Sequence, residues 1–143
     1  MVQLSVMTNR IIMIGCLGGA LGACTPSMTT APDAVSETFQ PNPGAGAIYV
    51  VRGLDPVFLG GASVTLDGQA LPSLMRNDYA RVDASPGEHR IACGEADTVV
   101  RADPGQVAFV EVLLQVGALS SRCTLRLLDE PNGRQRVVAG KRV

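Results

Sequence analysis

Aromatic and histidine side chains are scarce in this 143-residue chain, and their scarcity limits what it can do. The sequence contains no Trp, two Tyr, three Phe and one His. Sugar-binding surfaces commonly use exposed aromatic rings, and only Tyr49 and Tyr79 could serve in that way here. Histidine is the most frequent general base in hydrolytic sites. The inventory therefore disfavours a sugar-stacking platform and gives no sign of an enzyme or of a cofactor site.

The chain also lacks a strong excess of charge of one sign. Twelve Lys and Arg stand against 13 Asp and Glu, which argues against a nucleic-acid binder of the usual basic kind. The charge is unevenly distributed, because the segment from Arg122 to the last residue carries six basic residues against only Asp129 and Glu130. Such a bias is expected for a solvated face, and the alternative is a surface that lies against anionic phospholipid headgroups.

A long apolar run is missing as well, although a short one lies near the start. Asn9 and Arg10 are followed by Ile11 to Gly22, which contains no ionisable side chain. About a dozen apolar residues are fewer than the roughly 20 that a transmembrane helix needs. A short basic region followed by an apolar core is typical of a secretory signal, so we expect cleavage rather than a membrane span.

The signal ends in a sequence that resembles the bacterial lipobox. Leu21, Gly22 and Ala23 precede Cys24, and in a lipobox the cysteine thiol receives a diacylglyceryl group before the signal is removed. The alternative is an ordinary signal of the A-x-A type with a cysteine nearby by chance. Thr25 follows the cysteine instead of the Asp that favours inner-membrane retention in enteric-type lipoproteins. We therefore expect an outer-membrane lipoprotein with its domain in the periplasm, while the inner membrane and the cell surface stay open.

After the signal we predict a tether and one folded domain. Thr25 to Gly46 is rich in Thr, Ser, Pro, Ala and Gly and has few apolar residues with which to form a core. The predicted organisation is a signal peptide over residues 1–23, the lipidated Cys24 with a flexible linker to residue 46, and a β domain over residues 47–143. The domain has enough residues for one compact unit and too few for two.

The folded part shows short apolar runs separated by turn sequences such as Asp67-Gly68, Pro86-Gly87 and Pro104-Gly105. This pattern predicts an all-β fold, a single antiparallel β-sandwich or partly open barrel of about seven to eight strands. The predicted strands are Ala47 to Arg52, Ser63 to Leu66, Tyr79 to Asp83, Glu88 to Cys93, Thr98 to Arg101, Gln106 to Val116, Arg122 to Leu128 and Arg134 to Val138.

Alternation within these strands indicates which side chains face inward. In the strand that ends at Val116, Glu111 and Gln115 lie on one face, and the opposite face carries Ala108, Val110, Val112, Leu114 and Val116. By the same pattern Cys93 and Cys123 face inward, and in an oxidising compartment we expect a disulfide between them. The alternative is a metal site completed by His89, which lies in phase with Cys93 but lacks the spacing of known metal-binding motifs.

Four short elements resemble a family of small bacterial envelope lipoproteins classed as a domain of unknown function. They are an opening strand A-I-Y-V-V-R, a hairpin V-T-L-D-G-Q, a strand start N-D-Y and the turn P-G-E-H, which is similar to PEGA-type surface domains. The resemblance implies an envelope location and a sandwich-like fold, and it implies no reaction. The matching positions are Tyr49, Val50, Arg52, Val64, Asp67, Gly68, Asn77, Tyr79, Pro86, Gly87 and His89.

One loop is unusually apolar and is our candidate for partner contact. The segment G-L-D-P-V-F-L-G-G-A carries Leu54, Phe58 and Leu59 between glycines. An apolar loop either folds back to cap the sandwich or contacts another molecule. We expect a non-catalytic structural or protein-binding module that is held at the membrane by its lipid and binds an envelope protein. The alternative is a small-ligand, glycan or peptidoglycan-binding sandwich.

Overall fold

The computed structural model describes residues 38–55, 60–117 and 121–143, which form nine strands and one helix. Strands Gly87–Cys93 and Ala96–Ala102 alternate between more buried and more exposed side chains, whereas strand Gly46–Arg52 is buried along its whole length. The elements are β1 (Gly46–Arg52), β2 (Thr65–Leu66), β3 (Gln69–Ala70), β4 (Asp78–Ala84), β5 (Gly87–Cys93), β6 (Ala96–Ala102), β7 (Val107–Val116), β8 (Ser121–Leu128), α1 (Glu130–Ala139) and β9 (Lys141–Arg142).

The strands form two sheets that pack face to face without closing into a barrel, which confirms the predicted fold class. One sheet has the order β8-β7-β1-β4-β9 and the other the order β3-β2-β5-β6. Most neighbours are antiparallel, but β1 pairs with β7 and β4 pairs with β9 in parallel. The prediction of an antiparallel sheet missed these two pairs, since the order of strands in space is not written in their local sequence.

The main core lies between the two sheets. Strand β1 is central in the larger sheet and is buried on both faces, which explains its almost continuous apolar sequence. The larger sheet contributes the even-numbered side chains of β1 and β7, and the smaller sheet contributes those that alternate inward along β5 and β6. The core side chains include Ile48, Val50, Val64, Leu74, Ala80, Ile91, Val100, Val110 and Val112.

The predicted disulfide is present and joins the two sheets. Cys93 at the end of β5 is bonded to Cys123 in β8, with an S–S distance of 2.08 Å and a separation of 30 residues along the chain. In the chain-entropy description a loop of this length contributes about 3–4 kcal/mol to the stability of the fold. Because both sulfurs are bonded to each other, they are not available as thiolate ligands, and the alternative of a metal site with His89 is lost.

The last predicted strand, Arg134 to Val138, is wrong, because these residues belong to helix α1. The carboxylate of Asp129 caps the helix by accepting from the backbone N–H of Asn132 at 2.9 Å, and Pro131 lies in the first turn, where its fixed φ is favourable. Only Gly133 and Val137 are buried, so the apolar stripe is too narrow to show a helical period in the sequence. Within the described residues no helix is both long and apolar enough to cross a membrane.

Helix α1 covers the outer face of the larger sheet, and a second apolar cluster lies beneath it. Phe39 is buried in this cluster, and its ring packs at a tilt against neighbouring rings, with centroid distances of 5.4 Å to Tyr49 and 6.0 Å to Phe109. The predicted domain start at Ala47 is therefore too late, because packing begins several residues earlier. An isolated Phe in a polar segment gave no periodic signal. The cluster contains Phe39, Ala47, Tyr49, Val51, Tyr79, Phe109 and Val137.

Candidate functional site

The single histidine lies in a network that joins two turns at one edge of the smaller sheet. His89 is buried, its Nδ1 is 2.7 Å from Oδ2 of Asp67, and its Nε2 is 2.7 Å from the backbone oxygen of Ser85. The other carboxylate oxygen of Asp67 accepts from the backbone N–H of Arg90 at 2.8 Å. The inward orientation that strand phase predicts for His89 is present, and its ring is also bonded to backbone. The Asp-Gly hairpin and the Pro-Gly turn are thus connected through one imidazole ring.

This network has the residue types of a hydrolytic triad but not its chemistry. Both partners of His89 are acceptors, so each ring nitrogen must carry a proton in order to donate to them. Ser85 offers its carbonyl oxygen to the ring instead of a nucleophilic hydroxyl. The bond to Asp67, and after it the bond to Ser85, raises the pKa of His89, while the bond from His89 lowers the pKa of Asp67. While both ring nitrogens donate to these acceptors, neither is free to take up a proton as a general base does.

The apolar loop is fixed at both ends by a buried arginine. Arg52, at the end of β1, has no exposed side-chain surface and pairs through Nε with Oδ2 of Asp55 at 3.2 Å. Its Nη1 donates to the backbone oxygen of Gly60 at 3.2 Å, on the far side of the loop. The same oxygen of Asp55 accepts from the backbone N–H of Leu114 in β7 at 2.9 Å. The two ends of the loop are therefore held together and held to the larger sheet.

The described part of this loop presents apolar surface to solvent. Leu54, one of the predicted contact residues, is 50% exposed, and Met75, whose sulfur lies close to Gly61, is also exposed. The other two predicted contact residues, Phe58 and Leu59, lie outside the described residues. The burial of Arg52 could have been suspected from sequence only through its place in the resemblance, since an arginine at the end of a strand usually faces water.

A buried carboxylate lies beneath helix α1 and was not expected. The alternation in β7 placed Glu111 on the face opposite the sandwich core, and the structure shows that α1 buries this face. The side chain of Glu111 is fully buried and forms ion pairs with Arg126 of β8 and, at 3.2 Å, with Arg136 of α1. These arginines line an open recess of about 330 Å³ between β8 and the start of α1. The arrangement neutralises the buried charge and holds the helix against the sheet.

The aromatic rings of the described residues all lie inside the molecule. Tyr49 and Tyr79, which the sequence left as the only candidates for sugar stacking, are 0% and 5% exposed and pack in the cluster under α1. Burial raises the pKa of Tyr49. Phe39 and Phe109 are buried with them, and the guanidinium of Arg134 lies 4.4 Å above the ring of Phe39. Neither tyrosine can therefore act as a surface platform for a sugar.

The predicted membrane anchor lies outside the described residues. This applies to the signal over residues 1–23, to the lipobox residues Leu21, Gly22 and Ala23, and to the lipidation site Cys24. Within the residues that the structure describes, no group of three or more His, Cys, Asp or Glu side chains is placed to hold a metal ion.

No protein-family profile and no curated protein sequence matches this chain. Among solved structures the chain is similar to the N-terminal domain of AlgF from P. aeruginosa, at 14% sequence identity and a TM-score of 0.42. The match covers 63% of this chain and 100% of that domain. A similarity at this level carries no argument about function, so the function has to be argued from the chain's own residues.

Proposed function

We propose that this protein is a lipid-anchored, non-catalytic module of the bacterial envelope, which binds another envelope protein through the apolar loop after β1. The lipobox-like sequence that ends at Cys24 supports the anchor, and Thr25 supports an outer-membrane location with the domain in the periplasm. The observation that carries the binding proposal is the buried Arg52, which ties Asp55 to Gly60 while Leu54 remains exposed.

The pairing of Arg52 matters because a buried arginine is costly unless it is well paired. Here the guanidinium donates to the carboxylate of Asp55 at one end of the loop and to the backbone oxygen of Gly60 at the other. Holding the ends together removes conformational freedom before a partner arrives, so less entropy is lost on binding. Fixed loop ends beside an exposed apolar side chain favour a protein-binding surface.

Two further observations support a module without catalysis. The single histidine donates from both ring nitrogens and is committed to holding two turns together. The two tyrosines that could have stacked on a sugar are buried, which favours a protein partner over the glycan or peptidoglycan alternative. The resemblance to a family of envelope lipoproteins, which includes the PEGA-like turn, agrees with this role. Membership of that family is part of the proposal.

Site-specific photocrosslinking in growing cells tests the proposal. A photoreactive amino acid replaces Leu54, and a matched control replaces Val99, which is 51% exposed on the smaller sheet. We expect Leu54 to crosslink to a discrete envelope protein that mass spectrometry identifies, and Val99 not to do so. The same crosslink should weaken when Asp55→Asn releases the loop from Arg52 while the Cys93–Cys123 disulfide remains formed.

Two outcomes contradict the proposal. One is an identical crosslinking pattern from positions 54 and 99, which would show that contact is nonspecific. The other is cosedimentation of the purified protein with peptidoglycan that a Leu54→Ser change leaves intact, together with an absence of any protein crosslink. That second result would favour the glycan-binding alternative.

A further inference from the structure

The folded part of the chain has two sides of opposite charge. The basic side consists of the outer face of β8, helix α1 and β9, where residues 121–143 carry six basic residues against Asp129 and Glu130. Pairing in the sheet places Arg122 and Arg126 opposite Gln115 and Glu111, on the same face as α1. Even after the buried Glu111 is counted against them, this side stays clearly positive.

The smaller sheet forms the acidic side. Its strands and turns carry five acidic residues against two arginines and His89, and all three of these side chains are paired with carboxylates. Arg90 is 3.0 Å from Asp97, and Arg101 is 2.8 Å from Asp103. On the basic side Arg122 and Lys141 are exposed and form no ion pair with any described residue. The two sides therefore differ in the charge that they present to a surface.

The chain that leads from Cys24 joins the folded unit on the basic side. Phe39 packs under Arg134 of α1, and the backbone oxygen of Gln40 accepts from Nη2 of Arg81 at 2.7 Å. Asn42 donates to Asp83 at 2.9 Å on the same face of the sheet. Thirteen residues separate Cys24 from Thr38. Even a fully extended chain of that length spans at most about 50 Å, so the fold cannot lie far from an anchored Cys24.

We infer that the basic side, formed by β8, α1 and β9, docks on the surface of a bilayer that contains anionic phospholipid. This inference rests on the proposed lipid anchor, which would bring that side close to the headgroups. Each Lys or Arg close to an anionic surface strengthens binding about fivefold, and the attraction reaches roughly one Debye length, about 10 Å at 0.1 M salt. Docking in this orientation turns the acidic sheet away from the membrane.

Tryptophan fluorescence tests the orientation directly, because the chain contains no Trp. Val138→Trp places a reporter on α1, where Val138 is 73% exposed, and Val99→Trp places a matched reporter on the acidic sheet. The purified full-length lipoprotein is reconstituted on vesicles of brominated phosphatidylcholine, with and without phosphatidylglycerol. Bromine on the acyl chains quenches a nearby indole. We expect quenching of the α1 reporter only with phosphatidylglycerol, and none of the Val99 reporter.

Charge variants with a matched control identify the cause. Arg122→Gln with Lys141→Gln, in the Val138→Trp background, should lower the ratio of docked to undocked protein by roughly 25-fold. Arg90→Gln with Arg101→Gln removes the same charge from the acidic side and should leave the quenching unchanged.

Gln135→Trp, also exposed on α1, provides a second reporter if Val138→Trp perturbs folding. The quenching should disappear at 1 M salt, where the Debye length is about 3 Å.

Flotation of the same vesicles separates this inference from the proposed function. If the protein floats with both kinds of vesicle but the two reporters behave alike, the anchor stands and the docking face is overturned. If the protein floats only with phosphatidylglycerol and the α1 reporter is quenched, the docking face stands and the anchor is wrong. A protein that floats with neither overturns both.

Discussion

At the scale of single residues, the ring of His89 joins two turns through its bonds to Asp67 and to the backbone of Ser85. His89 follows a Pro-Gly turn and faces inward by strand phase, and both features are visible in the sequence. The long-range bond to Asp67, 22 residues away, comes from the pairing of β2 with β5. Nothing in the sequence near Asp67 indicates that its carboxylate binds a histidine, so the imidazolium was beyond sequence-based prediction.

The first prediction concerns the titration of His89. Its folded pKa should lie above the ordinary value of 6.5, because Asp67 and Ser85 both accept from the protonated ring. The bonds of the protonated ring therefore make their full contribution to the free energy of unfolding below about pH 6.5. This contribution is lost as the pH rises through the folded pKa. NMR titration measures the pKa without ambiguity, since the chain has one histidine.

Two variants complete the titration experiment. Asp67→Asn should lower the pKa of His89 towards 6.5, and Asn tolerates the positive φ of 50° at this position, so the turn is kept. His89→Gln should lower the free energy of unfolding, and the loss relative to the native chain should be larger at pH 5 than at pH 9. Urea unfolding at the two pH values measures this difference. A histidine that titrates at or below 6.5 in the folded protein would contradict the imidazolium network.

For Glu111, strand alternation predicts the face of the sheet but not the burial of the side chain. Its place on the face opposite the sandwich core is correct, because strand alternation alone fixes it. Its burial could not be predicted, since the helix that covers it was expected to be a strand. Arg126, directly opposite Glu111 in β8, and Arg136 in α1 are the charges that make the burial tolerable.

At the scale of elements, strands were easier to predict than the helix for a physical reason. Seven of the eight predicted strands are observed close to their expected bounds, since apolar runs between Gly and Pro turns are local signals. Helix α1 lacks such a signal, because it buries only Gly133 and Val137 and its capping residue Asp129 precedes a Pro-Asn-Gly sequence typical of turns. Tertiary contact with Phe109, which lies in a different part of the chain, selects the helix.

The second prediction tests this contact. A Cβ atom on Gly133 would lie 2.1 Å from Cγ of Phe109, so Gly133→Ala should lower the free energy of unfolding by about 1–3 kcal/mol. The sign is informative, because Ala in a helix is otherwise favoured over Gly by about 1 kcal/mol. Urea unfolding measures the difference, and Gln135→Ala on the exposed side of α1 is the control, with an expected change below about 0.5 kcal/mol. A stabilised Gly133→Ala variant would show that α1 does not pack closely on β7.

At the scale of the whole molecule, the chain has a layered and polarised arrangement. Two sheets enclose one core and are joined by Cys93–Cys123, while α1 and the segment around Phe39 cover the outer face of the larger sheet. Composition and turn spacing were sufficient to predict the sandwich. They could not predict that α1 forms a third layer on the larger sheet, or that packing begins at Phe39 instead of Ala47. Both features depend on a few isolated side chains.

The arrangement gives each side of the molecule a distinct role in the account. We propose that the loop held by Arg52 offers apolar surface to a protein partner and that the basic side offers charge to phospholipid. Both proposed roles are favoured when the fold is confined next to a bilayer, and the proposed lipid on Cys24 would confine it there.

Mass spectrometry of the N-terminal peptide from the natively expressed protein tests the proposed lipid anchor most directly. We predict that the mature chain begins at Cys24 and carries a diacylglyceryl thioether on its sulfur, and that a Cys24→Ser chain carries no such group. An unmodified Cys24 in a mature chain that begins elsewhere would contradict the lipid anchor and, with it, the account of the protein as a membrane-tethered binding module.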